Sequence, residues 1–376
     1  MGVRGYMELA DRPKRFGDHH NAFGVLRLFL AALVIVSHTP ELIDGSPNRE
    51  VLTRLTGTLS FGGLAVFGFF IVSGYLITGS FVQSSSLASF FKKRTARIYP
   101  AFIVSSFVCL FAVAPLAGTQ LDIGSPRILI GSIVRIAILA QPRVEGAFPG
   151  QHYNDPISAL NGAAWTIQYE FACYALAALL GIAGLYRKRA GVALLALILL
   201  IAAQTVPADA VNALTKGRAF AGAPAFLFKL PGMFLTGATF YLYRDCLRLT
   251  VTGSIFAAAG LCITLPIAPL TDIGVAVFGG YLLFTAARLG GDTLIGRIND
   301  RNDISYGLYL YAWPIEQLLI RYMDSASLFL IGTMTLLLAL ACGWASWLIV
   351  ERPVLLWVKR QRSATSHRST ELSGPS

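Results

Sequence analysis

The sequence predicts an all-α integral membrane protein, a polytopic bundle of about ten transmembrane helices. Two observations support this prediction. First, 55% of the 376 residues are hydrophobic and 14% are charged, whereas a soluble domain carries about 25% charged residues. Second, apolar runs recur along the whole chain, and a helix crosses a bilayer with roughly 20 mostly apolar residues. Too few polar side chains remain to cover a soluble surface, so much of the surface must face lipid.

Ten apolar segments are predicted to span the membrane, and the basic residues between them indicate their orientation. With the N-terminus in the cytoplasm, 21 of the 29 basic residues that lie between the spans or at their ends fall on the cytoplasmic side, as the positive-inside rule requires. This alternation accounts for the net charge of +11 without a nucleic-acid partner. The predicted spans are residues 22–40, 59–79, 98–117, 161–185, 191–206, 221–243, 249–268, 273–288, 304–321 and 327–350.

The rest of the chain adds no second domain. A further apolar segment, 128–140, is too short to cross the membrane, so we expect an interfacial or re-entrant helix. We divide the chain into a cytoplasmic N-terminal segment (1–21), one transmembrane domain (22–353) and a basic, disordered cytoplasmic tail (354–376). The first twenty residues lack the apolar core of a cleavable signal peptide. The five cysteines show no metal-ligand spacing, so we expect reduced packing residues and no metal site.

Two ionisable residues lie in the first span, Arg27 and His38. Ionisable groups inside a bilayer are costly and therefore suggest function. Eleven helical steps return to nearly the same face, about 16 Å further along the axis. The pair indicates either a polar path through the bundle or a snorkelling arginine with an interfacial histidine. A histidine is suited to acyl transfer, as the base that accepts a hydroxyl proton or as a transient acyl carrier.

A basic cluster precedes the third span in the stretch SFFKKRTARIYP. Arg94 and Arg97 are neighbours on one face if this stretch is helical, and Lys93 is adjacent. Such a cluster can hold phosphates through charge-assisted hydrogen bonds. The alternative is an ordinary positively charged flank of a transmembrane helix.

A carboxylate is predicted deep in the fourth span, in the stretch NGAAWTIQYEFACYA. Glu170 lies about 14 Å along this span and needs a partner, for which Arg27 and His38 are the candidates. We therefore expect these three residues to line one polar cavity. Trp165 and Tyr174 fit the wall of that cavity, although ordinary aromatic packing would explain them as well.

Six stretches, taken in order, make the sequence resemble acyltransferase family 3, the membrane O-acyltransferases that act on carbohydrates. The resemblance runs from Asn21 to Pro353. Its motifs are the first-span arginine and histidine, a second span ending in Ser-Gly, R-x-x-R followed by Ile and Pro, a Trp-Glu-Tyr set, and Ser-Tyr-x-x-Tyr-Leu with Glu-Arg-Pro. They are matched here by Arg27 and His38, Ser73 and Gly74, Arg94 to Pro100, Trp165 with Glu170 and Tyr174, Ser305 to Leu310, and Glu351 to Pro353.

The resemblance implies an enzyme that moves an acyl group, acetyl first and succinyl second, from cytoplasmic acyl-CoA to a carbohydrate hydroxyl. No bound cofactor is expected, since acyl-CoA is a substrate. The catalytic candidates are His38, Arg27 and Glu170, and the donor site comprises Arg94, Arg97 and Lys93. The substrate cavity is assigned to Trp165, Tyr174, Ser73, Tyr306 and Tyr309.

Two departures from the family pattern matter. Many members have a histidine before the Trp-Pro of the ninth span, where this sequence has Ala312. We therefore assign the catalytic histidine to His38. Some members also carry a fused extracytoplasmic domain, whereas only 23 residues follow Pro353, which indicates the stand-alone type.

The competing hypothesis is a proton-coupled transporter or flippase of a carbohydrate or lipid precursor. A buried Arg–Glu pair among ten spans would suit such a carrier. Carriers often show two similar halves, and none is visible in this sequence. We place the protein in the cytoplasmic (inner) membrane with both termini in the cytoplasm. The acceptor sugar and the oligomeric state stay open.

Overall fold

Helices account for the regular structure throughout the part of the chain that the computed structural model describes, which is residues 21–118, 125–142, 144, 148, 160–215, 225–291, 293–300 and 302–371. No strand occurs in these residues. The helices are α1 (Phe23–Asp44), α2 (Val51–Thr56), α3 (Phe61–Val82), α4 (Leu87–Leu116), α5 (Pro126–Ala137), α6 (Thr166–Ile182), α7 (Arg189–Thr205), α8 (Ala208–Thr215), α9 (Phe226–Leu242), α10 (Val251–Thr264), α11 (Ala268–Gly291), α12 (Ser305–Tyr322), α13 (Leu328–Ser346) and α14 (Arg352–Glu371).

The helices coincide with the ten predicted spans, so the prediction of a polytopic membrane bundle is confirmed. Among the described residues, five helices are long and apolar enough to cross a membrane: α1, α3, α4, α11, and α13 with its continuation to Gln361. Three more, α7, α9 and α10, are apolar but shorter. The more polar α6 and α12 occupy the two remaining predicted spans. The outer surface is apolar, with side chains such as Phe256 and Phe329 largely exposed, as expected where lipid is the solvent.

Two boundaries differ from the sequence prediction. The third span was predicted from residue 98, but α4 begins at Leu87, where Ser86 caps the helix by accepting from the Ser89 N–H at 3.1 Å. The basic cluster therefore belongs to α4 itself. At the other end of the chain, α13 passes through one π-helical turn into α14, so the chain is helical to Glu371 and not irregular after Pro353. The predicted segment 1–21 lies outside the described residues except for Asn21.

A contact between α4 and α14 explains why the chain stays helical there. The Lys92 ammonium lies 5.3 Å from the centre of the Trp357 ring and also donates to the side chain of Gln361. A cation over an indole ring is attracted by its negative face. The basic, polar composition that predicts disorder is thus offset by contacts with the bundle over the first turns of α14.

The short apolar segment after α4 forms α5, a helix of 12 residues. At 1.5 Å per residue it spans about 18 Å, too little to cross the roughly 30 Å apolar core of a bilayer. Ile130, Ile133 and Val134 are exposed along one side. This geometry matches the expectation that the segment does not span.

Two glycines bring α3 and α9 into close contact. A Cβ at Gly74 would lie 1.8 Å from the carbonyl oxygen of Phe234, and one at Gly237 would lie 1.9 Å from that of Ile71. Only glycine permits this approach, which is how small residues pack membrane helices where lipid removes the hydrophobic driving force.

The first helix contacts several others. α1 packs against α3, α12 and α13. The residues Arg27 and His38 are therefore carried into the interior by one helix, at positions that neighbouring helices can reach.

Candidate active site

A cavity of about 130 Å³, partly open to the outside, lies between α1, α3, α4, α6 and α12. Apolar side chains of α3 line much of one wall, among them Phe69, Phe70 and Leu76. Many of the other lining side chains are polar. Its polar side chains are Arg27, Ser73, Arg94, Arg97, Thr166, Glu170, Tyr174, Ser305, Tyr306 and Tyr309.

Helical spacing explains how so many polar groups face one cavity. Residues three or four apart lie on the same face of a helix. Arg94 and Arg97 on α4 share such a face, as do Glu170 and Tyr174 on α6. Each motif places its polar side chains on one face of its own helix, and these faces meet at the cavity.

An ion-pair cluster centred on Asp303 lies beside the cavity. Three lining residues, Arg27, Arg97 and Ser305, contact the Asp303 carboxylate, and we call this part of the cavity its basic end. The carboxylate of Asp303 lies 2.9 Å from Arg27 Nη1 and also accepts from Arg97 Nη2. Asn299 Nδ2 donates to its other oxygen at 3.1 Å, and so does the Ser305 hydroxyl at 2.6 Å. Burial raises the pKa of Asp303, but the two arginines and these hydrogen bonds outweigh it and lower that pKa to about 2.

Arg97 also extends the cluster to the end of α13. Its Nη1 lies 2.9 Å from Glu351 Oε2, and the Glu351 side chain is 1% exposed. Ser346 donates to the other carboxylate oxygen at 3.3 Å. The guanidinium of Arg97 lies 5.6 Å from the centre of the Tyr306 ring. One arginine therefore ties α4 to the start of α12 and to the end of α13.

The expected partners of Glu170 were wrong. The sequence prediction paired Glu170 with Arg27 or His38, whereas the ion pair of Arg27 is with Asp303. Glu170 instead accepts a hydrogen bond from the Tyr174 hydroxyl at 2.5 Å. The depth of Arg27 and Glu170 in the bilayer indicated that both charges need partners. Which partner Arg27 has depends on the packing of the loop before α12 against α1.

The two arginines of the R-x-x-R motif have different surroundings. Arg97 is held by two carboxylates. No carboxylate of the described residues lies within ion-pair distance of Arg94, whose guanidinium is 6.0 Å from the centre of the Tyr174 ring. The Nε of Arg94 is buried without a hydrogen-bond partner. Arg94 is therefore a cavity-lining cation with unused hydrogen-bond donors.

Three of the residues assigned to the site by the sequence do not line the cavity: Lys93, Trp165 and, as described below, His38. The Lys93 ammonium contacts the Ser84 hydroxyl at 3.3 Å. Trp165 belongs to the short turn before α6, and its ring lies 4.7 Å from that of Phe226 on α9. For Trp165, the aromatic-packing alternative describes the observed contacts.

The other predicted cavity residues do line it. The Ser73 hydroxyl is buried without a hydrogen-bond partner in the described structure. Tyr306 donates to the carbonyl of Ile98 at 3.0 Å. The Tyr309 hydroxyl lies 2.8 Å from the Thr166 hydroxyl and donates to the Ala163 carbonyl at 2.7 Å. Tyr309 thus closes the wall where α12 meets the start of α6.

His38 is not among the residues that line this cavity. It lies further along α1, where its ring meets the Trp313 ring edge-on with centroids 4.8 Å apart. Its Nδ1 lies 3.1 Å from Glu41 Oε2. Trp313 follows Tyr309 by one turn of α12, so this helix connects the cavity wall to the imidazole. The structure brings Arg27 and Glu170 to one cavity and leaves His38 outside its lining, in contact with Trp313.

The sequence reasoning missed Asp303, Glu41 and the pairing role of Glu351. A weak signal existed for Asp303, because it is an acidic residue directly before a polar span and Arg27 needed a counterion. Glu41 lies three residues after His38, where a helical side chain can reach it.

A comparison with protein families identifies the fold. The model of acyltransferase family 3, described as an acyltransferase domain, matches residues 20–350. The match covers most of the chain, so the chain belongs to this family, and the resemblance drawn from the motifs is confirmed. No solved structure matches the chain significantly.

Individual relatives point to the same chemistry. The chain is 30% identical over 350 residues to a protein named O-acetyl transferase from Shigella phage Sf6, covering 89% of this chain and 96% of that one. It is 29% identical over 375 residues to nodulation protein 10 of Rhizobium leguminosarum bv. viciae, covering 90% and 94%. The acyltransferase MdmB of Streptomyces mycarofaciens is 26% identical over 149 residues, which is 40% of this chain and 36% of that one. Family and relatives together support O-acyl transfer in a membrane as the activity.

Proposed function

We propose that the chain transfers an acyl group, acetyl first, from acyl-CoA to a hydroxyl of a cell-surface or exported carbohydrate or its lipid-linked precursor. One observation carries the proposal. Arg94, with no carboxylate within ion-pair distance among the described residues, lines a cavity whose wall residue Tyr309 is one turn of α12 from Trp313, and Trp313 contacts a histidine paired with a carboxylate. In the proposed complex the donor binds by its phosphates at Arg94, and its thioester extends along α12 toward His38.

Arg94 is the residue that we assign to the donor phosphates. Its donors are free of carboxylates among the described residues, and a guanidinium binds phosphate oxygens through paired hydrogen bonds. The apolar wall formed by Phe69, Phe70 and Leu76 suits the largely uncharged arm of CoA. The free hydroxyl of Ser73 offers a hydrogen bond to the amide groups of that arm.

Arg97 and Arg27 take a different role in this proposal. The two arginines are paired with the two carboxylates of Asp303 and Glu351, so they hold the geometry of this part of the cavity and add little net charge for a phosphate to bind. The predicted donor site of Arg94, Arg97 and Lys93 thus reduces to Arg94 as the direct ligand. The contacts of Asp303 connect α1 and α4 to the start of α12.

His38 is the catalytic base in the proposed reaction. The imidazole accepts the proton of the acceptor hydroxyl while that oxygen bonds to the thioester carbonyl carbon. The carbon–sulfur bond then breaks, and the protonated imidazole returns the proton to the CoA thiolate. The products are one ester and one CoA thiol. A route through acyl-imidazole would give the same products, and an acyl group trapped on His38 would identify it.

We assign the part of the cavity at Arg94, where the donor phosphates bind, to the cytoplasmic side, because acyl-CoA is found in the cytoplasm. The charge distribution supports this orientation, because 21 of the 29 basic residues between the spans or at their ends then face the cytoplasm. Both termini lie in the cytoplasm in this arrangement. A reporter that is active only outside the cytoplasm, fused after Ser376, should stay silent.

The test is transfer of label from acetyl-CoA to glycan in inverted membrane vesicles, with vesicles lacking the protein as the control. An O-acyltransferase labels the glycan when the donor is supplied on the cytoplasmic face. The alternative, a transporter or flippase, leaves the glycan unlabelled. Mass spectrometry of surface glycans from a deletion strain then identifies the acceptor hydroxyl by the acyl mass that it loses.

A further inference from the structure

The surroundings of His38 define the state of its two ring nitrogens. Nδ1 lies 3.1 Å from a carboxylate oxygen of Glu41, one turn along α1. No other described residue forms a hydrogen bond with the ring. Both side chains are about one quarter exposed, 23% for His38 and 27% for Glu41. Among the described residues, the second nitrogen, Nε2, therefore has no hydrogen-bond partner.

The chemistry of the partner fixes the tautomer. A neutral imidazole has one N–H donor and one acceptor nitrogen, and an ionised carboxylate can only accept. With Glu41 at Nδ1, the proton must lie on Nδ1 and the lone pair on Nε2. Nε2 is then the atom that can take a proton from a hydroxyl.

The ring plane is fixed as well. Trp313 meets the imidazole at an interplanar angle of 77°. Its own position is constrained, because a Cβ at Gly162 would lie 2.3 Å from the Trp313 ring. The next residue of α1, Thr39, donates to the buried carboxylate of Glu316 on α12. This contact holds α1 in register with α12, so His38, Glu41 and Trp313 keep their relative placement.

We propose that Glu41 is a positioning residue for His38: its carboxylate holds the imidazole with Nδ1 protonated and Nε2 directed to the acceptor hydroxyl. The proposal rests on the proposed function, in which His38 is the base. Glu41 does not line the cavity to which the donor is assigned, and the nearest α12 residue of that wall, Tyr309, lies one turn from Trp313. The loss of Glu41 should therefore reduce turnover and leave donor binding unchanged.

The experiment compares Glu41→Gln, Glu41→Asp and the control Asp44→Asn in purified enzyme, with labelled acetyl-CoA and glycan as substrates. Asp44 lies three residues further along α1 and pairs with Arg49 at the surface, so the control removes the same charge from the same helix without changing the carboxylate at His38 Nδ1. Glutamine keeps the size of Glu41, but its amide can either accept or donate and no longer fixes the tautomer. Aspartate keeps the charge on a shorter arm.

The expected result is a fall in kcat of about 10–100-fold for Glu41→Gln, with a smaller fall for Glu41→Asp. The donor KM stays within twofold of wild type, and Asp44→Asn behaves as wild type. In a His38→Ala background, Glu41→Gln should cost nothing further, since two residues that act through one another are not additive.

Two other outcomes are distinguishable. A Glu41→Gln enzyme whose kcat equals that of Asp44→Asn, or one that loses activity equally with and without His38, overturns the role of Glu41 and leaves the proposed function intact. A wild-type enzyme that does not transfer label from acetyl-CoA overturns the proposed function, and the role of Glu41 falls with it.

Discussion

Replacing Arg97 by glutamine should destabilise the protein, while the same change at Arg94, three residues away on α4, should not. Arg97 holds Glu351, whose side chain is 1% exposed, and shares Asp303 with Arg27. Removing one partner of a buried ion pair costs about 3–5 kcal/mol, because the other charge stays buried without compensation. Arg27 still neutralises Asp303 in the variant, so most of the cost falls on Glu351.

Thermal unfolding of the detergent-purified variants measures this effect. For a chain of 376 residues, a loss of that size lowers the apparent Tm by roughly 5 °C. The double variant Arg97→Met/Glu351→Met should recover much of the loss, since replacing a buried pair by apolar side chains is often neutral. Equal Tm values for Arg97→Gln and Arg94→Gln would refute the assignment of a stabilising role to Arg97 and a donor-binding role to Arg94.

Three further predictions concern the donor site, the helix packing and the acid limit of stability. Arg94→Gln should raise the donor KM at unchanged Tm, and Arg94→Lys should rescue it only in part because lysine lacks the bidentate fork; an unchanged donor affinity would contradict the assignment. Gly74→Ala should lower Tm, since its Cβ would lie 1.8 Å from the Phe234 carbonyl oxygen, whereas Gly131→Ala, where nothing lies within 4 Å, should be neutral or stabilising; equal effects would show that α3 and α9 are not in close contact. The depressed pKa of Asp303, about 2 against 3.8, contributes stability that is present above pH 4 and lost as the pH falls toward 2, an amount of about 2 kcal/mol; pH-dependent Tm values of Asp303→Asn should lack this fall.

The bundle could be predicted from the sequence because its cause is compositional. Apolar runs and the bias of basic residues are local properties, and each span satisfies its own backbone hydrogen bonds. The start of α4 was missed for the same reason. A hydropathy pattern ends where lysine and arginine begin, yet Lys92 and Arg94 are good helix formers and the helix continues back to the cap at Ser86.

The members of the site were largely predictable, but their partners were not. Glu170, Tyr174 and the R-x-x-R pair stand out as polar groups in apolar surroundings. The sequence gives no information on whether Arg94 or Arg97 faces a carboxylate, because Asp303 and Glu351 are distant in the chain and meet α4 only in the folded bundle.

The placement of His38 shows the same limit. Helical periodicity predicted a stripe shared by Arg27 and His38, and α1 does carry both into the interior. The side chains of α12 decide what lies between them. Tyr309 lines the cavity and Trp313 covers the imidazole, so residues on one stripe of α1 occupy two separate surroundings.

The most direct test of the central claim is transfer of labelled acetyl from acetyl-CoA to glycan by His38→Ala, measured beside donor binding by the same preparation. If His38 is the base, the rate of transfer falls by about 10²–10⁴-fold. The affinity for acetyl-CoA stays at the wild-type value, because Arg94 and not His38 binds the donor in this account. A folded, membrane-inserted His38→Ala protein that transfers acetyl at the wild-type rate would contradict the mechanism.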